Sequence, residues 1–141
     1  MAVTVQLYNN AIKRLLAGEI TIANLKFMLR SVNTFDATDD TIGDLPGSEV
    51  HGNGWSEGGE SIGNAAWTVD NTNEAKLDGN DISVTVSGSA LSAPAGVIYS
   101  DDSNDYLLAL VDFGETKSAD PGTDFKVNWH ADGIIRVRLA D

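Results

Sequence analysis

The sequence predicts a mainly β fold: a single β-sandwich or jelly-roll-like domain of about eight short antiparallel strands, with one short N-terminal helix. Three observations lead there. Short apolar-alternating runs recur at fairly even spacing through the second half of the chain, and each is bounded by Gly, Asn, Asp or Pro. The 141 residues suit one core, 1–141, and no break in composition marks a second. A chain of this size buries roughly two-thirds of the surface its unfolded form exposes. It therefore needs no covalent staple, and it contains no cysteine.

Residues 7–17, LYNNAIKRLLA, place Tyr8, Ala11, Ile12, Leu15 and Leu16 on one helical stripe. Lys13 and Arg14 fall in the closing turns, where cations complement the helix dipole, and Gly18 can take the left-handed stop. A strand follows in NLKFMLRSV, where Leu25, Phe27 and Leu29 alternate with Lys26, Met28 and Arg30, so the apolar set shares one sheet face. From 33 to 63 the alternation dissolves into a long acidic, then glycine-rich loop, with Pro46-Gly47 as a turn and HGNGWSEGGES as its end. Loops of this length in compact domains are usually functional or mobile, so a contact surface is expected there. Seven strands follow: AAWTVD, EAKLD, ISVTVSG, AGVIYSD, YLLALVDFG, DFKVNWH and IIRVRLA. The nearly unbroken apolar run in YLLALVDF predicts a strand buried on both faces.

Net charge is −12 and unevenly spread: residues 1–30 net +3, 31–125 net −16, and 126–141 net +1. So acidic a middle repels phosphate backbones, and nucleic acid is not an expected partner. No apolar run reaches the ~18–20 residues that span a bilayer, and MAVTVQLYNNAIKRLL lacks the basic-then-apolar order of a secretory signal. No membrane association is expected, and the chain should be soluble as made.

The chemistry-bearing residues are sparse. Of two histidines, His51 lies in the loop and His130 beside the turn Ala131-Asp132-Gly133, so a histidine-rich metal site would need distant segments to meet. No G-x-S-x-G elbow supports a Ser-His-Asp triad. Acidic clusters at 36–40, 78–81 and 101–105 offer oxygen ligands, but none has calcium-loop spacing. They stand where strands turn, and Asp and Asn side chains are favoured there because they bond the nearby backbone. No catalytic residue, metal or cofactor is expected. Trp67 and Trp129 alternate within strands and are read as core, which leaves Trp55 in the glycine loop as a candidate exposed anchor.

Several motifs in order resemble a family of small bacteriophage virion proteins encoded among head genes, of the capsid decoration or cement type. Its members open with a Tyr-Asn pair leading into a short helix that ends in Gly, then a strand and an acidic loop. They continue through E-V-x-G-x-G-[YW]-x-x-G-G to a strand ending D-F-G, followed by F-x-[IV]-x-W-x-x-D-G-I. The matching residues are Tyr8, Asn9 and Gly18; 25–29; Glu49, Val50, Gly52, Gly54, Trp55, Gly58 and Gly59; Asp112, Phe113 and Gly114; and Phe125, Val127, Trp129, Asp132, Gly133 and Ile134. The resemblance spans nearly the whole chain. It departs at NLKFMLRSV, where the family has a plainer aliphatic run, and around Pro46-Gly47.

The resemblance implies a non-enzymatic head protein that binds the assembled shell, with the major capsid protein as partner and self-association into a dimer or trimer on the particle. Its place would be the capsid surface of the virion, after synthesis in the host cytoplasm. Neck, tail or fibre positions occur among such proteins, and a carbohydrate-binding module is the competing class for a β domain bearing tryptophans. Two contact segments are expected. The basic N-terminal part, 1–30, offers Lys13, Arg14 and Arg30 to an acidic shell, and the glycine loop offers Gly52, Gly54, Gly58 and Gly59 around Trp55. For the loop, the competing expectation is that it merely closes one end of the sandwich.

Overall fold

The computed structural model describes residues 3–138 and, within them, all side chains except those of residues 70 and 71. The central sheet is antiparallel, in the order β1 (Thr4–Leu7), β9 (Leu107–Ala119), β8 (Leu91–Ser100), β2 (Leu25–Arg30) and β3 (Glu49–Val50), with β4 (Glu60–Ser61) also on β2. Two smaller sheets form a second layer: β7 (Ile82–Thr85) with β10 (Asp124–Val127), and β5 (Ala66–Asn71), β6 (Glu74–Asp78) and β11 (Ile135–Arg138) in the order β11-β6-β5. Between the layers lies the main core, built on Leu25, Phe27, Leu29, Trp55, Leu77, Ile98, Val111, Phe113 and Phe125. The mainly β, sandwich-like fold is the one the sequence predicts.

All eight expected strands are present, and β1, β3 and β4 are additional. The expected strand IIRVRLA forms as far as Arg138, and its last two residues lie outside the described ones. β1 and the helix share what the helical stripe claimed alone. Residues 4–7 extend along β9, the chain turns at Tyr8, and the helix α1 (Ala11–Leu16) is only six residues long. Leu16 consequently points to solvent. Gly18 does take the left-handed stop, at φ +75°.

β9 is buried on both faces along 107–111, as its apolar run requires. β2 behaves the same way, contrary to the one-faced reading. Leu25, Phe27 and Leu29 enter the main core, while Met28 and Arg30 are buried on the opposite face. That face is closed by the segment after β2. Phe35, Ile42 and Leu45 pack over Tyr8, Met28, Val97, Tyr99 and Leu110, and the rings of Tyr8 and Phe35 stand 5.0 Å apart. The acidic half of the expected open loop is thus a lid on the sheet, fastened by Ile42 N–H to the Asp105 carbonyl (3.2 Å) and Leu107 N–H to the Asp40 carbonyl (2.9 Å).

Candidate functional site

The glycine-rich half of the loop is a strap along β2. Its ends pair as β3 and β4, in register Leu29–Val50 and Phe27–Glu60. Between them a tight turn brings Gly52 and Trp55 together, with Gly52 N–H on the Trp55 carbonyl at 2.8 Å and the reverse bond at 3.0 Å. Asn53 and Gly54 both have positive φ (54° and 101°), as a two-residue type I′ turn demands. Trp55 leaves that turn into the main core. It is 2% exposed and meets Phe125 (5.7 Å between centroids) and Phe27 (6.4 Å) edge-on.

The expected exposed anchor is therefore a core residue, and the loop closes the sandwich. Gly54 and Gly59 let backbone touch backbone. A Cβ on Gly54 would sit 2.4 Å from the Thr85 carbonyl oxygen, and one on Gly59 would sit 2.4 Å from that of Phe27. Gly58 is held at both ends: its N–H donates to Glu49, and its carbonyl accepts the Tyr99 hydroxyl. Burial, then Asp101, Asp105 and Glu49, push the Tyr99 hydroxyl up to about 12, so it stays a donor at physiological pH. Of these four glycines, only Gly52 has nothing within 4 Å of an added Cβ. The sequence signal for this arrangement was Asn53-Gly54 itself, the commonest two-residue hairpin turn.

The three expected cations have three different fates. Lys13 is exposed on the outer side of α1. Arg14 is engaged within the fold: its Nε donates to Asp40 at 2.9 Å, its remaining nitrogens reach Asp40 and Glu19, and its guanidinium lies 3.6 Å over the Tyr106 ring. Arg30 is 6% exposed, its Nη2 donating to the Pro46 carbonyl at 3.1 Å and its Nη1 facing the Met28 sulfur at 3.4 Å. Burial lowers the Arg30 pKa, while Glu49, opposite it in register, opposes that shift. Arg14 thus ties the lid to α1 and Arg30 ties it to β2, so both are engaged within the fold where the sequence suggested free surface cations. Alternation and charge alone could not reveal the lid that buries them.

The acidic clusters work as turns. Asp36 accepts from the N–H and hydroxyl of Thr38, Asp44 from the N–H groups of Asp40 and Thr41, and Asp102 from Asn104 N–H at 2.9 Å. Among the described residues no three His, Asp or Glu side chains converge as a metal site would require. The cluster has a pH signature. The Arg14 hydrogen bond holds Asp40 below the ordinary carboxylate range, and hydrogen bonds from Thr38 and Thr41 do the same for Asp36 and Asp44. Burial and neighbouring carboxylates raise Asp39 and Asp105.

The depressed groups stabilise the fold above the unfolded carboxylate pKa of about 3.9, and that stability is lost as pH falls through their folded values. The raised groups do the opposite. Their charge penalty is full at neutral pH and is relieved as pH falls through their folded values, which lie above 3.9. Thermal denaturation measured across pH is expected to give a melting temperature that rises from neutrality into mild acid, then falls below about pH 4. A monotonic decline from pH 7 would contradict these assignments.

The exposed apolar side chains are grouped. Of seven large ones among the described residues, Leu16 stands alone. Val3, Val5 and Leu7, 56%, 49% and 39% exposed, line one side of β1. The register Val5–Val111 and Leu7–Ala109 shows that this is the core side of the sheet, left uncovered at its edge. A groove of about 560 Å³ runs there between β1 and β10, lined by Val3, Val5, Val111, Phe113, Phe125 and Trp129. Trp67, Val69 and Val137 form the second strip, on one face of the β11-β6-β5 sheet. Trp67, expected in the core, is partly exposed: it stands in register with buried Leu77, but on β5, an edge strand of that sheet. Trp129 is partly buried against Phe27, with its Nε1 donating to the Asn80 carbonyl at 2.9 Å.

No protein-family model, curated protein or solved structure matches this chain.

Proposed function

We propose that this chain is a structural protein acting through protein–protein contact, as a decoration or cement protein that binds an assembled phage head lattice and stabilises it. The observation that carries the reading is the distribution of exposed apolar groups. Among the described residues, six of seven fall in two strips on separate sheets, on a molecule whose middle is strongly acidic. Contiguous apolar surface of this kind marks contact faces, whereas scattered single residues do not. The motif order supplies the particular kind of assembly. A contact made only with the expanded shell stabilises that state by mass action, and many equivalent copies multiply the gain.

Lys13 remains the N-terminal cation open to an acidic shell surface, since Arg14 and Arg30 are committed to the fold. Lys13→Glu is expected to weaken binding to expanded shells about 2- to 10-fold at low salt, with the difference shrinking as salt screens it. Co-sedimentation with purified shells over a salt series reads this. A salt profile unchanged from the parent chain would remove Lys13 from the interface. The broader reading is tested by copy number in purified particles: absence from virions would sink it. Exposure of Trp67 on an open sheet face favours a second reading, a carbohydrate-binding module, which glycan-array binding lost in Trp67→Ala would support.

A further inference from the structure

We infer that β1 is a dimerisation strand: two copies of this chain pair their β1 edges antiparallel about a two-fold axis and run the central sheet through both. The inference takes one apolar strip and names its occupant, so it rests on reading that strip as a contact face and does not require a capsid. β1 has β9 on one side only. Tyr8 N–H donates to the Leu108 carbonyl at 3.3 Å, and antiparallel alternation then turns the N–H and C=O groups of Val5 and Leu7 to the open side. Among the described residues no backbone bond closes that edge.

Edge strands of soluble proteins are guarded by charge, proline, a bulge or extreme shortness. The far edge of this sheet follows the rule, because β3 is two residues long and carries Glu49. β1 is unguarded: Thr4-Val5-Gln6-Leu7 has no charge and no proline, and its register with β9 is regular.

Charge leaves this edge as the face that two copies can share. Segment 31–125 nets −16, so most approaches of two copies set carboxylates against carboxylates, whereas β1 has no charged side chain of its own. An axis through Val5 sets Val5 against Val5 and Val3 against Leu7, so every exposed apolar side chain of one strand meets one of the other. The two grooves then join into one apolar trough. A four-residue strand is a small patch beside the ~1,200 Å² total of stable interfaces, so the dimer is reversible and concentration-dependent.

Sedimentation velocity over a concentration series tests this, with Val5→Lys as the variant and circular dichroism as the check on folding. The parent chain is expected to show a monomer–dimer equilibrium that Val5→Lys weakens by about 10-fold or more. The chain has no cysteine, so Val5→Cys provides a second measurement that does not depend on how the lysine is tolerated. Under mild oxidant it should form a disulfide-linked dimer far faster than Thr72→Cys, which lies at an exposed turn. A parent chain that stays monomeric at high concentration overturns the inference. So does a dimer that Val5→Lys leaves intact while Val5→Cys links no faster than Thr72→Cys. A monomer that still loads onto particles would overturn the dimer and leave the decoration reading standing.

Discussion

Trp55→Ala is expected to destabilise the chain by about 3–5 kcal/mol, lowering the melting temperature by roughly 10–20 °C. Trp55 is 2% exposed, and it joins the strap to both layers: Phe27 belongs to β2 of the central sheet and Phe125 to β10 of the second. Removing the indole leaves a cavity that those two rings cannot both collapse into, because each is fixed by its own strand pairing. The polar contribution is secondary. Among the described residues the buried Trp55 Nε1 has no hydrogen-bond partner, so Trp55→Phe removes a desolvated donor while keeping an aromatic edge, and should cost roughly 1.5 kcal/mol. Urea or thermal unfolding of the two variants separates cavity from donor. A Trp55→Ala chain melting within a few degrees of the parent would mean that the ring carries no core load. Under the proposed decoration role, shell binding at a temperature where Trp55→Ala is still folded should be unchanged, since the ring meets the interior and not the surface.

What the sequence disclosed follows from what periodicity can carry. β9 was legible because 107–111 is apolar without interruption, and only a strand covered on both sides needs that. β2 was half legible. Alternation correctly placed Leu25, Phe27 and Leu29 together, but it cannot say whether the other face is covered, and the lid over Met28 and Arg30 is written in three scattered residues, Phe35, Ile42 and Leu45. The same limit exchanged two tryptophans. Trp67 alternates as a core residue should and is in register with buried Leu77, yet it stands on the edge strand β5, while Trp55 sits among glycines that resemble a free loop. β3 and β4, at two residues each, are too short to show any period, and the one signal of the strap, the Asn53-Gly54 pair, is lost within a segment that reads as an open loop. The arginines were misplaced for a related reason. A positive charge in sequence reads as surface, but Arg14 has a facing carboxylate from residue 40 and an aromatic ring from residue 106 that only the tertiary fold brings near.

Gly59→Ala is expected to be as damaging as any single substitution in the strap, at about 3 kcal/mol or more, for a reason opposite to a cavity. Gly59 has φ +94°, a conformation an L side chain resists, and its Cβ would lie 2.4 Å from the Phe27 carbonyl oxygen, 2.7 Å from its carbon and 2.9 Å from Met28 Cα. None of these atoms ends a flexible side chain. All belong to the backbone of β2, which is pinned by β8 on one side and by β3 and β4 on the other. Relief must therefore come from the strap lifting away, which would break the Phe27–Glu60 pairing and loosen the Trp55 turn beside it. Gly52→Ala is the matched control. Its φ, +94°, is the same, but nothing lies within 4 Å of its Cβ, so it bears the conformational strain without the clash and should lose only about 1–2 kcal/mol. Equal melting temperatures for the two variants would show that close approach to β2 adds nothing. A much lower one for Gly59→Ala assigns the difference to backbone contact, and it identifies Gly59 as a determinant of the fold.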